Sequence, residues 1–335
     1  KLKVERQMRV FPQNDRSSSV LDILKKELEK LDVNIVCKSK VIDLLVKNQA
    51  VRGVRLENEQ IIESDRIILA CGGVSYSFTG SDGSGINIAK KHRHTIVPLK
   101  AGLVPLETKE NYSEKLEGLT LRNIRLSAKV LGGSATICGG KFSDGKKQIV
   151  SEIGELIFTS SGISGPLVIT LSGRVADLIA PGKKVYVDID LKPALSVEQL
   201  DGRLLREFKS NSKKIIQNML KELLPLRLIK VFMAATKIDP LKKCSQITQV
   251  ERQKIISLLK GFRMEICGAR PIEEGMITRG GISLKEINPR TMESRLIKGL
   301  YFCGEMIDVD ADTGGFNLQA AFSTGYLAGE SAAIN

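Results

Sequence analysis

Two apolar runs that end in glycine, RIILACGG at 66–73 and KGLYFCGE at 298–305, stand toward opposite ends of this 335-residue chain. Each reads as a buried parallel strand closed by a tight turn. The second continues through DVDADTGG into NLQAAFSTGYLAG, which predicts a helix from about Phe316 to Ala333. A strand, a glycine turn and a helix bring a helix N-terminus to the carboxyl edge of a sheet, where open α/β folds bind ligands. The free amides and positive dipole end there favour anionic or electron-rich atoms. On the residues alone, the glycines fit plain turn geometry as well as they fit a cofactor. Gly325 and Gly329, four apart, predict a helix face that presses on another element.

Between these ends the texture changes twice. Residues 107–193 alternate strand-like runs (IRLSAKVL, SATIC, KQIVSEIGELIFT, KKVYVDIDL) with glycine-rich turns, as in an antiparallel barrel or sandwich. Residues 196–262 read as amphipathic helices, and strand character resumes at 264–284. A nested insertion explains this order more simply than consecutive beads. The expected domains are 1–106 with 276–335, then 107–195 with 263–275, and a helical subdomain at 196–262. Near the start, SSVLDILKKELEKLD predicts a helix capped by Ser17 or Ser18, with an apolar face at Val20, Leu21, Leu24, Leu28 and Leu31. NIVCKS (34–39) and the stretch 41–58 predict short strands.

Composition removes several classes. The six cysteines are scattered without C-x-x-C or zinc spacing, as expected of reduced thiols in a cytoplasmic protein. Two histidines, His92 and His94, give poor support for a His-rich metal centre or a Ser-His-Asp hydrolase. No apolar run is long enough to span a bilayer. DVDADTGGFNLQ starts like a calcium loop, but Thr313 stands where that loop needs glycine and Gln319 where it needs glutamate; no metal is expected. The net charge of +13 suits anionic partners, and residues 196–262 hold fourteen Lys and Arg against six Asp and Glu. With few aromatics there for stacking, a solvated surface is the expectation and nucleic acid the alternative.

The blocks RVFPQNDRSSSVLDIL, ILACGGVSYSFTGSDGSG, HTIVPLKAGLVPL, GELIFTSSGISGP and TRGGISLKEINPRTMESRLIKGLYFCGEMIDVDADTGGFNLQAAFSTGYLAG together resemble the bacterial HI0933-like flavoproteins. The resemblance covers nearly the whole chain. It implies an α/β, FAD-binding Rossmann-like domain of the two-dinucleotide-binding-domain kind, with an inserted β-barrel-like domain and a helical subdomain. It also implies an FAD-dependent oxidoreductase of a small-molecule substrate, with NAD(P)H as a transient co-substrate. By the same resemblance Gly304, Glu305 and Asp308 would border the FAD pyrophosphate and ribityl chain. Gly314, Gly315, Phe316, Asn317 and Leu318 would lie against the isoalloxazine. Ala70, Cys71 and Gly72 would pass the adenosine, and Val41 would offer backbone to the adenine. No side chain declares itself as a catalytic acid or base.

Departures from the family pattern are specific. The family opens with a G-x-G-x-x-G turn and an acid for the adenosine ribose, and neither is in this sequence. The chain begins in mid-pattern without Met, which reads as a fragment carrying part of the FAD site. A flavoprotein that no longer binds FAD is therefore a further alternative. Tyr76-Ser77 stand in place of Tyr-Pro, Cys71 in place of Thr, and Ser160-Ser161 in place of a His-aromatic pair.

Overall fold

A computed structural model describes residues 1–5, 8–110, 115–131, 148–179 and 183–334. The expected strand SATIC lies outside them. The chain divides into two compact units, Lys1–Lys100 with Ile277–Asn335, and Ala101–Met276. The first unit begins with β1 (Leu2–Val4), β2 (Val10–Pro12), α1 (Ser18–Lys30), β3 (Val41–Lys47), β4 (Ala50–Leu56), β5 (Ile61–Glu63), β6 (Ile67–Leu69), α2 (Ser84–Lys91) and most of β7 (Ile96–Gly102). The second holds β8 (Leu106–Thr108), β9 (Thr120–Leu131), β10 (Gln148–Phe158), β11 (Gly162–Ser164), α3 (Pro166–Ala176) and β12 (Lys184–Asp190). It continues with α4 (Val197–Ser210), α5 (Ile216–Met219), α6 (Leu226–Thr236), α7 (Gln249–Lys260) and β13 (Phe262–Ala269). The chain then returns to the first unit through β14 (Ile277–Ile282), β15 (Leu300–Phe302) and α8 (Phe316–Ile334).

In the first unit the two glycine-ended runs are neighbours. β15 pairs with β6 in parallel, Leu300 opposite Ile67, Tyr301 opposite Ile68 and Phe302 opposite Leu69. Leu300, Tyr301 and Phe302 are fully buried among Leu69, Ile86, Ile282, Met306 and Ile307. Each such side chain contributes about 1.5–3 kcal/mol on burial, so this pair anchors the unit. β3, β4 and β5 form an antiparallel meander, and β7 pairs with β14.

Three expectations fail here. Residues 34–39 form no strand and their side chains are mostly exposed; with no ladder partner the extended backbone gains nothing from pairing. The helix α1 forms as expected, yet its apolar residues are all exposed, and Ser17 makes no side-chain cap bond. In α8, a Cβ at Gly325 or Gly329 would meet no described atom within 4 Å. Among the described residues no element is pressed against that glycine face.

The second unit is a closed antiparallel barrel in the order β10-β11-β8-β13-β12-β9. The helix α3 was hidden within the all-β stretch, because LVITL has strand-like composition. Its start is marked by Pro166 at the first helical position. A Cβ on Gly154 of β10 would sit 2.8 Å from Leu167 Cδ2, so the missing side chain makes room for α3. Ser196 with Gln199 and Thr248 with Glu251 form capping boxes that start α4 and α7. Within the segment 196–262 read as helices, residues 212–224 hold only α5 and one 3₁₀ turn.

His94 shows how the first unit handles a buried titratable group. Only 3% exposed, it lies edge-on to Phe302 at 4.8 Å. Nδ1 faces the Ala89 carbonyl (3.2 Å) and Nε2 faces Ser294 Oγ (2.8 Å). The carbonyl requires Nδ1–H, so Nε2 accepts the Ser294 hydroxyl proton. Ser294 Oγ also accepts the Leu296 and Ile297 amides. The network fits only a neutral ring, and burial lowers the imidazole pKa below its ordinary value. An unfolded chain thus binds the proton more readily, and stability falls as pH drops below the unfolded pKa of about 6.5. Denaturant unfolding at about pH 7.5 and about pH 5.5 should show the acid loss, at most about 1.4 kcal/mol per pH unit. The drop should shrink in His94→Gln; an equal drop in both proteins would assign it elsewhere.

Candidate functional site

The carboxyl ends of β6 and β15 release the two glycine turns side by side, and a clasp joins them. The Thr278 amide donates to Glu305 Oε1 at 2.6 Å, and Ser75 Oγ donates to the same oxygen at 3.3 Å. The Gly73 amide donates to Glu305 Oε2 at 3.4 Å. Thr278 Oγ1 accepts the Val74 and Ser75 amides at 2.8 and 3.1 Å. Gly73 is buried, and a Cβ there would overlap Thr278 Oγ1 and lie 2.6 Å from Thr278 Cβ. Met306 Sδ takes the Cys71 amide at 3.2 Å. Turn 70–75 is thus bound backbone-first to residues far along the chain.

The second turn is organised by α8. Thr324 Oγ1, itself donating to the Ala320 carbonyl, accepts the Gly304 amide at 3.0 Å. The Asp308 amide donates to the Ile282 carbonyl (3.0 Å), which fixes the exit from β15 beside β14. Arg279 reaches Asp310 at 3.3 Å. Asn317 then folds its side chain back on the loop. Its Oδ1 accepts the Ala311 amide (2.9 Å) and its Nδ2 donates to the Ala311 carbonyl (2.8 Å). Gly314 and Gly315 turn the chain at φ of 129° and 89°, in the region side chains avoid. Nothing described lies within 4 Å of a Cβ placed on Gly315. The first-turn amides of Phe316, Asn317 and Leu318, which follow Gly315 in sequence, have no intrahelical acceptor.

Electrostatics single out Asp308. Its carboxyl is half-buried and accepts no hydrogen bond among the described residues. Burial first, then Asp310, pushes its pKa above the ordinary carboxylate value, against the pull of Arg279. Such a group lacks a donor, and a ligand hydroxyl would supply one. The arrangement can therefore receive electron-rich atoms at the start of α8 and hydroxyl donors at Asp308.

The other residues singled out in the sequence fall as follows. Ala70 and Cys71 are exposed and Gly72 half-buried in the first turn. Gly304 follows β15 after Cys303. Phe316 and Leu318 project into solvent, 62% and 65% exposed. Val41 begins β3 and packs on the same core, with no hydrogen bond to the glycine turns among the described residues. Both oxygens of Glu305 are engaged in the clasp. Sequence reasoning missed Ser75, Thr278, Met306 and Thr324. Thr278 stands 204 residues from Val74, and no local pattern connects them.

A profile of the HI0933-like protein Rossmann domain matches residues 1–331. The 3-dehydro-bile acid delta(4,6)-reductase of Clostridium scindens is 31% identical over 326 residues, covering 97% of this chain and 75% of the relative. Ribosomal RNA dihydrouridine synthases of Haemophilus influenzae and Escherichia coli are each 27% identical. They match 93% of this chain, and 72% and 71% of their own lengths. A solved structure of Aquifex aeolicus GidA overlaps 100% of this chain and 53% of its own, at 12% identity and a TM-score of 0.36, too low to carry an argument. With a family profile spanning almost every residue and both glycine turns joined at one sheet edge, the chain belongs to the HI0933-like Rossmann family.

Proposed function

We propose that the chain forms the FAD-binding body of a flavin-dependent reductase acting on a carbon–carbon double bond conjugated to a carbonyl. The observation that carries this reading is the open turn at Gly314-Gly315 at the start of α8, in the same stretch of chain as Asp308, whose carboxyl accepts no hydrogen bond among the described residues. That donor and acceptor set fits a flavin. The amides of Phe316, Asn317 and Leu318 would favour the electron-rich edge of the isoalloxazine, a preorganised electrostatic effect. Asp308, beside Gly304, would accept a hydroxyl of the ribityl chain. Ala70, Cys71 and Gly72 would pass the adenosine, with Val41 backbone near the adenine. Glu305 would act at one remove, holding the two turns in register. FAD, when bound, supplies the two-electron chemistry, and NAD(P)H would be the transient electron source.

The relatives support the reaction class. One is named for reducing an unsaturated bile acid and two for making dihydrouridine in ribosomal RNA. In both reactions a ring double bond conjugated to a carbonyl gains two electrons and two protons. The bile-acid relative favours a free small molecule as the ring's carrier. The synthases, together with the charge on residues 196–262, favour a ring carried on RNA. The test is anaerobic: FAD is added to the purified protein, unbound flavin is removed, and NADH or NADPH follows. Retained yellow colour that bleaches supports the reading. A protein that stays colourless defeats it.

A further inference from the structure

The charge on residues 196–262 becomes a surface once its ion pairs are assigned. All six carboxylates are engaged locally. Asp201 pairs with Arg252 (2.7 Å), Glu207 with Arg203 (3.9 Å), Glu222 with Lys214 (3.6 Å) and Glu251 with Lys242 (2.7 Å). Glu198 accepts the Ser196 hydroxyl (2.7 Å) and Asp239 the Leu241 amide (3.0 Å). On the basic side, those four partners are held, Lys260 pairs with Asp190, and Arg227 donates to the Lys115 carbonyl. With six of the fourteen Lys and Arg so engaged, eight remain exposed with no carboxylate partner among the described residues.

The fold gathers several of these cations. A backbone bridge between Ile215 and Lys243 brings Lys213 and Lys243 to neighbouring segments. Lys237, at the end of α6, and Lys254, on α7, line one groove of about 730 Å³ together with Gln249, Gln253 and Ser257. Like charges held close in a folded body repel, and a polyanion relieves that cost.

We infer that this helical face, centred on the α6–α7 groove, is a docking surface for double-helical RNA. Its lysines suit phosphates, and the glutamine amides and serine hydroxyl both donate and accept, which matches a 2′-hydroxyl that DNA lacks. The three aromatics of the segment, Phe208, Phe232 and Phe262, are all buried, so it offers no stacking platform for single strands. The inference rests on the reductase reading only for the carrier of the reducible ring.

The test is fluorescence anisotropy of a labelled RNA hairpin titrated with the full chain. Raising salt from about 50 to about 200 mM should weaken binding about a hundredfold if four phosphates are contacted. Lys237→Gln combined with Lys254→Gln should reduce the salt slope by about two and weaken low-salt binding about tenfold. Lys25→Gln with Lys26→Gln, on α1 of the other unit, should leave both unchanged. No binding at low salt overturns the inference. So does an unchanged slope in the groove variant, an equal loss in the α1 variant, or equal affinity for a DNA hairpin. Anisotropy needs no flavin, so the two readings fail separately. A protein that binds RNA but retains no FAD retracts the reductase alone; one that bleaches but ignores RNA retracts the docking surface alone.

Discussion

Gly73→Ala is expected to destabilise the first unit by about 3 kcal/mol and to abolish retention of added FAD. The added methyl has nowhere to go. It would overlap Thr278 Oγ1, lie 2.6 Å from Thr278 Cβ and crowd Glu305 Cδ at 3.2 Å. Thr278 would have to move, and its hydroxyl serves the Val74 and Ser75 amides. Glu305 would move with it, releasing the Thr278 amide. Overpacking alone costs about 1–3 kcal/mol, and each buried donor left unmet adds about 1–3 kcal/mol. Thr278→Val is a milder comparison: it keeps the shape, removes the acceptor and should cost about 2 kcal/mol. Denaturant midpoints and FAD titration read both variants. An unchanged Gly73→Ala midpoint would mean that the clasp is not needed to hold the turns.

Gly315→Val should separate cofactor binding from folding. At φ of 89° a β-branched residue is strained by about 1–3 kcal/mol. No described neighbour resists the side chain, however, because the space beyond Gly315 is open. The protein should therefore still fold, with a modest drop in denaturant midpoint. FAD affinity should fall at least about a hundredfold, since the isopropyl group would occupy the cradle and tilt the α8 amides away. If FAD affinity fell only as far as strain predicts, the flavin ring would have to lie elsewhere.

What the sequence made legible was local. The run KGLYFCGE, the loop and α8 share one stretch of chain, so apolar texture and glycine spacing placed a strand, a turn and a helix correctly. The nesting of barrel and helices between two α/β ends could be read because each texture persists over many residues. What stayed hidden depended on partners. NIVCKS has strand composition but pairs with no strand among the described residues. LVITL reads as strand until Pro166 is taken as a helix start. The bonds of Glu305 to Gly73, Ser75 and Thr278 span the insertion, so no local pattern could show them. Gly325 and Gly329 would allow close packing, yet nothing among the described residues lies within 4 Å of a Cβ at either.

The clasp also sets an order of events during synthesis. Turn 70–75 leaves the ribosome long before Thr278 and Glu305 exist, and its amides must stay hydrated until both arrive. The barrel and helices between them, residues 101–276, have the contacts of a compact body and can fold in that interval. The inserted unit can thus begin to fold before the clasp that joins the two glycine turns can close. Because β13 closes the barrel and directly precedes β14, barrel closure and the arrival of Thr278 fall close together in synthesis.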